Sequence, residues 1–382
     1  MGPLAGLRIL ELEAVGPVPF CGMMLSDMGA DVLLVDRTDD PRLGFGRERW
    51  YDIMLRGRRS VTLDLKSAQG VEALLTLAEK ADALIEGFRP GVMERLGLAP
   101  DRLLARNPRL ILGRMTGWGQ TGPLAPRAGH DIDYIAQSGV LHAIGHEHDR
   151  PVPPLNLVGD FGGGGMMLAF GVVCALLEAR QSGRGQVVDA AMVEGAGLLS
   201  TMMWGMRAAG HWRDERGVNV LDSGAPWYDT YETSDGKHFA VGAIEPKFYT
   251  ELLDQLGLKH EALPPQHDRD GWPLLREKFA QAFASRTRAQ WQSVFATSDA
   301  CAAPVLSFAE AAAHPHAIAR GAHATVDGIV QPAPAPRFSR TPGDIRGGPP
   351  QRGARGGDAL RDWGFDDAAV ARLRGLGVGC AD

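Results

Sequence analysis

The sequence predicts an α/β fold: a Rossmann-like, parallel-sheet large domain followed by a smaller α+β domain. Two observations carry the prediction. In the first half, short apolar runs alternate with helical stretches, the pattern of crossover units whose sheet is covered on both faces. Beyond about residue 225 the runs give way to period-two alternation, the mark of antiparallel strands. Composition permits both, since 45% hydrophobic and 23% charged residues over 382 positions are ordinary for a globular chain with a large core.

The elements follow in order. Leu7–Leu12 reads as a strand, Val18–Met28 as an apolar helix and Asp31–Val35 as a second strand. A long polar loop, Asp36–Asp52, comes next. Helix Ala68–Lys80 leads to a third strand at Ala83–Glu86, and Pro100–Asn107 leads to a strand at Leu110–Met115. Asp160–Arg180 reads as a helix opening on Gly162–Gly165, followed by strand Gln186–Met192 and helix Val193–Ala209. The smaller domain, 225–325, opens with alternating strands over Tyr228–Glu245. Helices at Lys247–Leu256, Leu274–Ala284 and Arg288–Ala296 follow. Residues 1–224 form the first part of the large domain. Residues 326–382 form a linker, Pro-rich at Gln331–Pro336 and Gly/Arg-rich at Gly343–Gly357, with closing helices Ala359–Trp363 and Asp366–Arg374 that return to the large domain.

Several function classes are disfavoured. The net charge of -6 provides no basic footprint for nucleic acid. No apolar run approaches the ~20 residues of a membrane span, and Met166–Leu177 is the longest, so no membrane insertion is expected. The first residues lack a secretory signal pattern. The four scattered cysteines form no CxxC pair, which fits reduced thiols in a cytoplasmic protein. His146–Asp149 lacks a third ligand cluster, so no metal is expected. The turn after the first strand, Ala14–Gly22, lacks the glycine triplet of a dinucleotide site, and Pro17 and Pro19 remove two backbone donors.

A set of segments resembles the class III CoA-transferase family over essentially the whole chain. They are Leu4–Leu12, Gly29–Arg37, Arg59–Lys66, Phe88–Val92, Met115–Gly122 and Leu360–Gly364. Gly129–Tyr134, Gly159–Gly164 and Val241–Tyr249 are similar to its α-methylacyl-CoA racemase branch. The resemblance implies His130 and Asp160 as two catalytic bases and Glu245 as a support for the histidine. It implies CoA contacts at Arg37, Thr62, Leu63, Asp64, Leu65 and Arg89, and along Gly129, His130, Asp131, Ile132, Asp133 and Tyr134. It also implies an interlocked homodimer, with the site between domains and between subunits. The substrate would be an acyl-CoA, with CoA as part of the substrate and no separate cofactor.

The chemistry suits these residue types. Moving the α-proton of a thioester between two faces needs a proton carrier on each side. Histidine titrates near neutral pH unaided, whereas an aspartate must be raised by burial or by a neighbouring negative charge. Asp160, two residues before the first of the glycines, also reads as an ordinary helix N-cap. If catalytic, it would have helix amides beside it as an oxyanion hole, with the glycines letting a bulky thioester approach. Glu245, at a strand end, reads as either a solvated carboxylate or the group that fixes the imidazole tautomer. The basic cluster Arg42, Arg47, Arg49, Arg56, Arg58 and Arg59 suits a small polyanion, and Arg47, Arg49, Arg58 and Arg59 are candidate phosphate partners. The Met202–Met206 stretch fits core or acyl-pocket lining.

Two other functions compete. In a CoA-transferase Asp160 would attack the thioester, a second acid would be required, and His130 and Glu245 would have no role. A non-catalytic acyl-CoA-binding protein would keep the arginines and need none of the three acid–base residues.

Overall fold

The computed structural model describes residues 2–39 and 48–381, so Arg42 and Arg47 lie outside the described residues. The chain divides into two compact units. The first comprises Met1–Ser138, Leu155–Leu199 and His316–Asp382; the second comprises Gly139–Pro154 and Ser200–Pro315. These borders differ from the composition borders at 224 and 325, because a loop of the first half belongs to the second unit. Arg216 ties it there, donating to the carbonyls of His142 (2.8 Å) and Asp149, while the His142 ring meets the Asp214 carbonyl at 2.7 Å.

In the first unit six parallel strands lie in the order β3-β2-β1-β4-β5-β6. They are β1 (Arg8–Leu12), β2 (Asp31–Asp36), β3 (Arg59–Thr62), β4 (Ala83–Glu86), β5 (Ile111–Thr116) and β6 (Gln186–Ala191). The helices are α1 (Pro17–Asp27), α2 (Ala68–Ala78), α3 (Val92–Arg95), α4 (Pro100–Arg106), α5 (Asp131–Gln137), α6 (Met167–Ser182) and α7 (Met192–Leu199). The order reverses between β1 and β4, and ligands of open α/β sheets bind at the carboxyl end of such a switch point. Strand β3 was not legible as a strand: its four residues, Arg-Ser-Val-Thr, carry too little apolar pattern. The central strands are buried on both faces, with Leu10, Leu33 and Leu84 in one core layer and Ile9, Val32 and Ile85 in the other.

The sequence places a helix start at Asp160, but the helix begins three residues earlier. A π-helical segment, Leu157–Met166, runs directly into α6. The continuous helix, Leu157–Ser182, is 26 residues long. By length and composition it could cross a membrane, which the apolar run alone does not suggest. One face packs into the core through Leu168, Val172, Leu176 and Ala179.

The second unit holds the antiparallel sheet β7 (Tyr228–Glu232), β8 (His238–Gly242) and β9 (Ala302–Pro304). Its core is aromatic, built on Trp227, Phe239, Phe279, Phe283 and Trp291. A hairpin, β10 (His323–Val326) and β11 (Ile329–Pro332), occupies part of what reads as linker, and the chain closes with helices Gly356–Asp362 and Asp367–Gly375.

Candidate active site

Asp160 lies at the switch point. Gly16, just past β1, approaches it so closely that a side chain there would begin 3.1 Å from Asp160 Oδ2. Gly16 has a φ of 70°, a conformation glycine adopts without strain. Asp160 sits in the first turn of the π-helix, an irregularity that often marks functional sites. Its side chain is half-buried and accepts 3.0 Å from the Asn156 amide, and its own N–H donates 2.8 Å to Asp131 Oδ1. Burial raises its pKa, the Asn156 hydrogen bond opposes the rise, the Asp131 charge adds to it, and the His130 imidazole opposes it. Two expectations about this residue change. Asp160 is not an N-cap, and its N–H already has a partner, so that amide is not an oxyanion donor.

Three of the glycines have a packing role that the sequence does not suggest. Gly163 packs against the backbone of α7, where a Cβ would lie 2.5 Å from Ala196 N. Gly164 meets Met192 and Pro17, and Gly165 meets Pro17 and Phe20. Gly163 to Gly165 are buried. They let α1 and α7 approach this helix, a packing role sufficient to account for Gly163 to Gly165.

His130 is exposed and opens α5, its N–H donating 2.9 Å to Asp133 Oδ2. It is near enough to Asp160 to act on the carboxyl's charge. The segment expected to touch CoA divides by burial. Ile132 and Asp133 are exposed, whereas Asp131 and Tyr134 point inward. The Tyr134 hydroxyl donates to the Gly129 carbonyl, and its ring packs edge-on against Trp118 at 4.8 Å. Gly129 has no room for a side chain between these rings. Tyr134 therefore holds the turn that presents His130, and its hydroxyl is already engaged.

The arginines divide in the same way. Arg58 is buried against Glu11 and also donates to Pro19 and Met54 carbonyls, so it braces α1 and is not a phosphate partner. Arg56 pairs with Asp27, Arg59 with Asp31 and Asp362, and Arg49 with Asp36. Asp36 also accepts 2.5 Å from Ser60 and is buried, so the acid that would hold a ribose in a dinucleotide fold is consumed internally. Arg37 and Arg89 are exposed, and their guanidinium groups have no carboxylate partner among the described residues, although the Arg37 backbone N–H donates 2.9 Å to Glu13. The Arg37 guanidinium lies 6.0 Å from the Phe88 ring, next to Arg89 in sequence. Both follow strands at the carboxyl edge of the sheet. Of the expected adenine contacts, Thr62 exchanges both backbone hydrogen bonds with Gly379, and the Leu63 N–H donates to Asp36, leaving Asp64 exposed and Leu65 half-buried.

Glu245 belongs to the second unit. It is exposed at the start of helix Pro246–Gln255, and its carboxylate has no hydrogen bond or ion pair among the described residues. The strand leading to it is held by Gln266, whose amide donates 3.0 Å to each of the Ala243 and Ile244 carbonyls.

Sequence reasoning missed two contributors. Asn156 precedes Asp160 by one helical turn, a spacing that puts both on one face, but the helix start concealed it. Glu86 accepts 2.6 Å from Phe88 N and 2.9 Å from Arg114, fixing the turn that presents Phe88 and Arg89. It reads in sequence as one more strand-end acid.

Residues 4–356 match CoA-transferase family III. The chain is 48% identical over 373 residues to a mouse (Mus musculus) protein named alpha-methylacyl-CoA racemase, covering 97% of this chain and 96% of that one. The human (Homo sapiens) protein of that name is 46% identical over 344 residues, covering 89% of this chain and 87% of the relative. A solved CaiB/BaiF family protein from Brucella suis has a TM-score of 0.79 at 25% identity, covering 95% of this chain and 99% of its own.

Proposed function

The chain belongs to CoA-transferase family III, and from that premise we propose that it racemises 2-methyl-branched acyl-CoA thioesters, with His130 and Asp160 as the two bases. Identity of 46–48% to two named racemases over most of the chain supports the activity. The observation that supports the two bases is the setting of Asp160: half-buried, without a lysine or arginine partner among the described residues, and beside a second carboxylate whose charge adds to the rise in its pKa. Such a carboxyl gains a proton more readily than a free aspartate, so it can donate as well as accept.

In one direction neutral His130 takes the α-proton. The C–H pair moves into the thioester enolate, and protonated Asp160 delivers its proton to the opposite face. In the other direction the roles exchange. Arg37 and Arg89 are the proposed partners of the CoA phosphates, since guanidinium groups without carboxylate partners bind phosphate by paired hydrogen bonds. Glu245 carries the proposed orienting role toward the imidazole. CoA is part of the substrate, and no further cofactor is proposed. A homodimer is proposed as well. The outer face of the continuous helix Leu157–Ser182 exposes Met166, Phe170, Val173 and Leu177 beside the edge strand β6, an apolar stripe of the kind buried between subunits.

The test is proton NMR of a (2R)-2-methylacyl-CoA in deuterated water without any acid acceptor. Loss of the α-proton signal with appearance of the 2S isomer is the expected result. No exchange, with CoA transfer once a free acid is added, would make Asp160 a nucleophile instead.

A further inference from the structure

One carboxylate is linked to both proposed bases, to one as its neighbour in the chain and to the other by a hydrogen bond. Asp131 follows His130 in the chain, and its Oδ1 accepts the Asp160 N–H at 2.8 Å. The residue exposes only 6% of its surface. Oδ2 has no hydrogen-bond partner among the described residues. A buried, half-satisfied carboxylate is costly and asks for a compensating role. Gly159 clears the space it occupies, because a Cβ there would lie 2.6 Å from Oδ1. No lysine or arginine among the described residues pairs with it.

We propose that Asp131 is a positioning residue: one carboxylate fixes the backbone of Asp160 against the His130 turn and keeps negative charge beside the Asp160 carboxyl. The proposal rests on the racemase reading and deepens it. The groups acting on Asp160 are Asp131 and His130 from the α5 turn and Asn156 from its own helix. The Tyr134 phenol, pushed up to about 12 chiefly by burial and then by the Asp160 charge, is a neutral neighbour across the working range.

The sign follows from Coulomb's law. The charge on Asp131 favours the protonated form of Asp160, so Asp131→Asn, which keeps an acceptor for the Asp160 N–H and removes the charge, lowers the pKa of Asp160. Where Asp160 donates, rate falls as pH rises through that pKa; where it abstracts, rate rises. Both limbs therefore move to lower pH, one for each enantiomer.

The experiment measures kcat and KM against pH for both enantiomers. For D131N the expected result is a downward shift of the Asp160 limb by about one pH unit with KM nearly unchanged. D131A loses the acceptor as well, and kcat should fall about tenfold or more. Gly159→Ala displaces the carboxylate from the other side and should match D131A; it decides the matter if D131A fails to fold. Wild-type profiles in D131N and G159A would overturn the proposal. So would a lower kcat in D131N with the limb unmoved, the result of a merely structural carboxylate. A wild-type chain that exchanges no α-proton at all would sink the racemase reading itself, and this proposal with it.

Discussion

The acids around the carboxyl end of the first unit's sheet fall into two groups, and the difference shows what each group does. Glu11, Asp36 and Glu86 are almost wholly buried on β1, β2 and β4, and each meets a guanidinium: Arg58 at 3.0 Å, Arg49, and Arg114 at 2.9 Å. Burial raises the pKa of all three, and the arginine opposes it. The Asp160 N–H donates to Asp131 Oδ1, and neither carboxylate pairs with a lysine or arginine among the described residues; for Asp160 the Asp131 charge adds to the effect of burial, while the Asn156 hydrogen bond and His130 oppose it. The first group fixes strand ends and turns through ion pairs with arginines. In the second, no lysine or arginine among the described residues offsets the charge, and burial together with the Asp131 charge raises the pKa of Asp160, the direction a proton donor needs.

Breaking a member of each group should give opposite results. Arg114→Ala leaves Glu86 buried beside only the Phe88 amide, and removing one partner of a buried pair costs about 3–5 kcal/mol. Chemical denaturation should show that loss, and the turn carrying Phe88 and Arg89 should loosen with it. Arg37→Ala and Arg89→Ala touch no ion pair of the scaffold. Each should raise KM about tenfold, the scale of one lost charged contact, with kcat nearly kept and the melting temperature unmoved. Asp160→Asn is the smallest structural change and runs the other way. The folded pKa is raised, so the ionised form costs stability once pH exceeds the unfolded value, and protonation relieves that cost in acid. The variant should therefore melt about 2 °C above wild type at neutral pH and show no advantage near pH 3. A destabilised D160N at neutral pH would mean that Asp160 belongs with the ion-paired group.

Much of this division was legible in the sequence. Apolar runs located five of the six strands of the large sheet, and the motif segments at 129–134 and 159–164 located both proposed bases. What was not legible depended on partners distant in sequence. The glycines after Asp160 look like a ligand cradle until α1 and α7 are seen packed on them. Arg58 looks like a phosphate partner until Glu11, 47 residues away, is found beneath it. Asn156 was hidden because a π-helical start has no signature in periodicity, and the inward turn of Asp131 and Tyr134 within one motif depends on the packing of Trp118 and Gly159.

The most direct measurement of the two-base account is α-proton exchange and inversion in deuterated water, followed separately for each enantiomer with D160N and H130Q. The account predicts a crossed pattern: neither variant inverts, and each still exchanges the enantiomer whose proton faces the base it retains. Exchange of both enantiomers by either variant would mean that one base serves both faces, and the division of labour between His130 and Asp160 would be wrong.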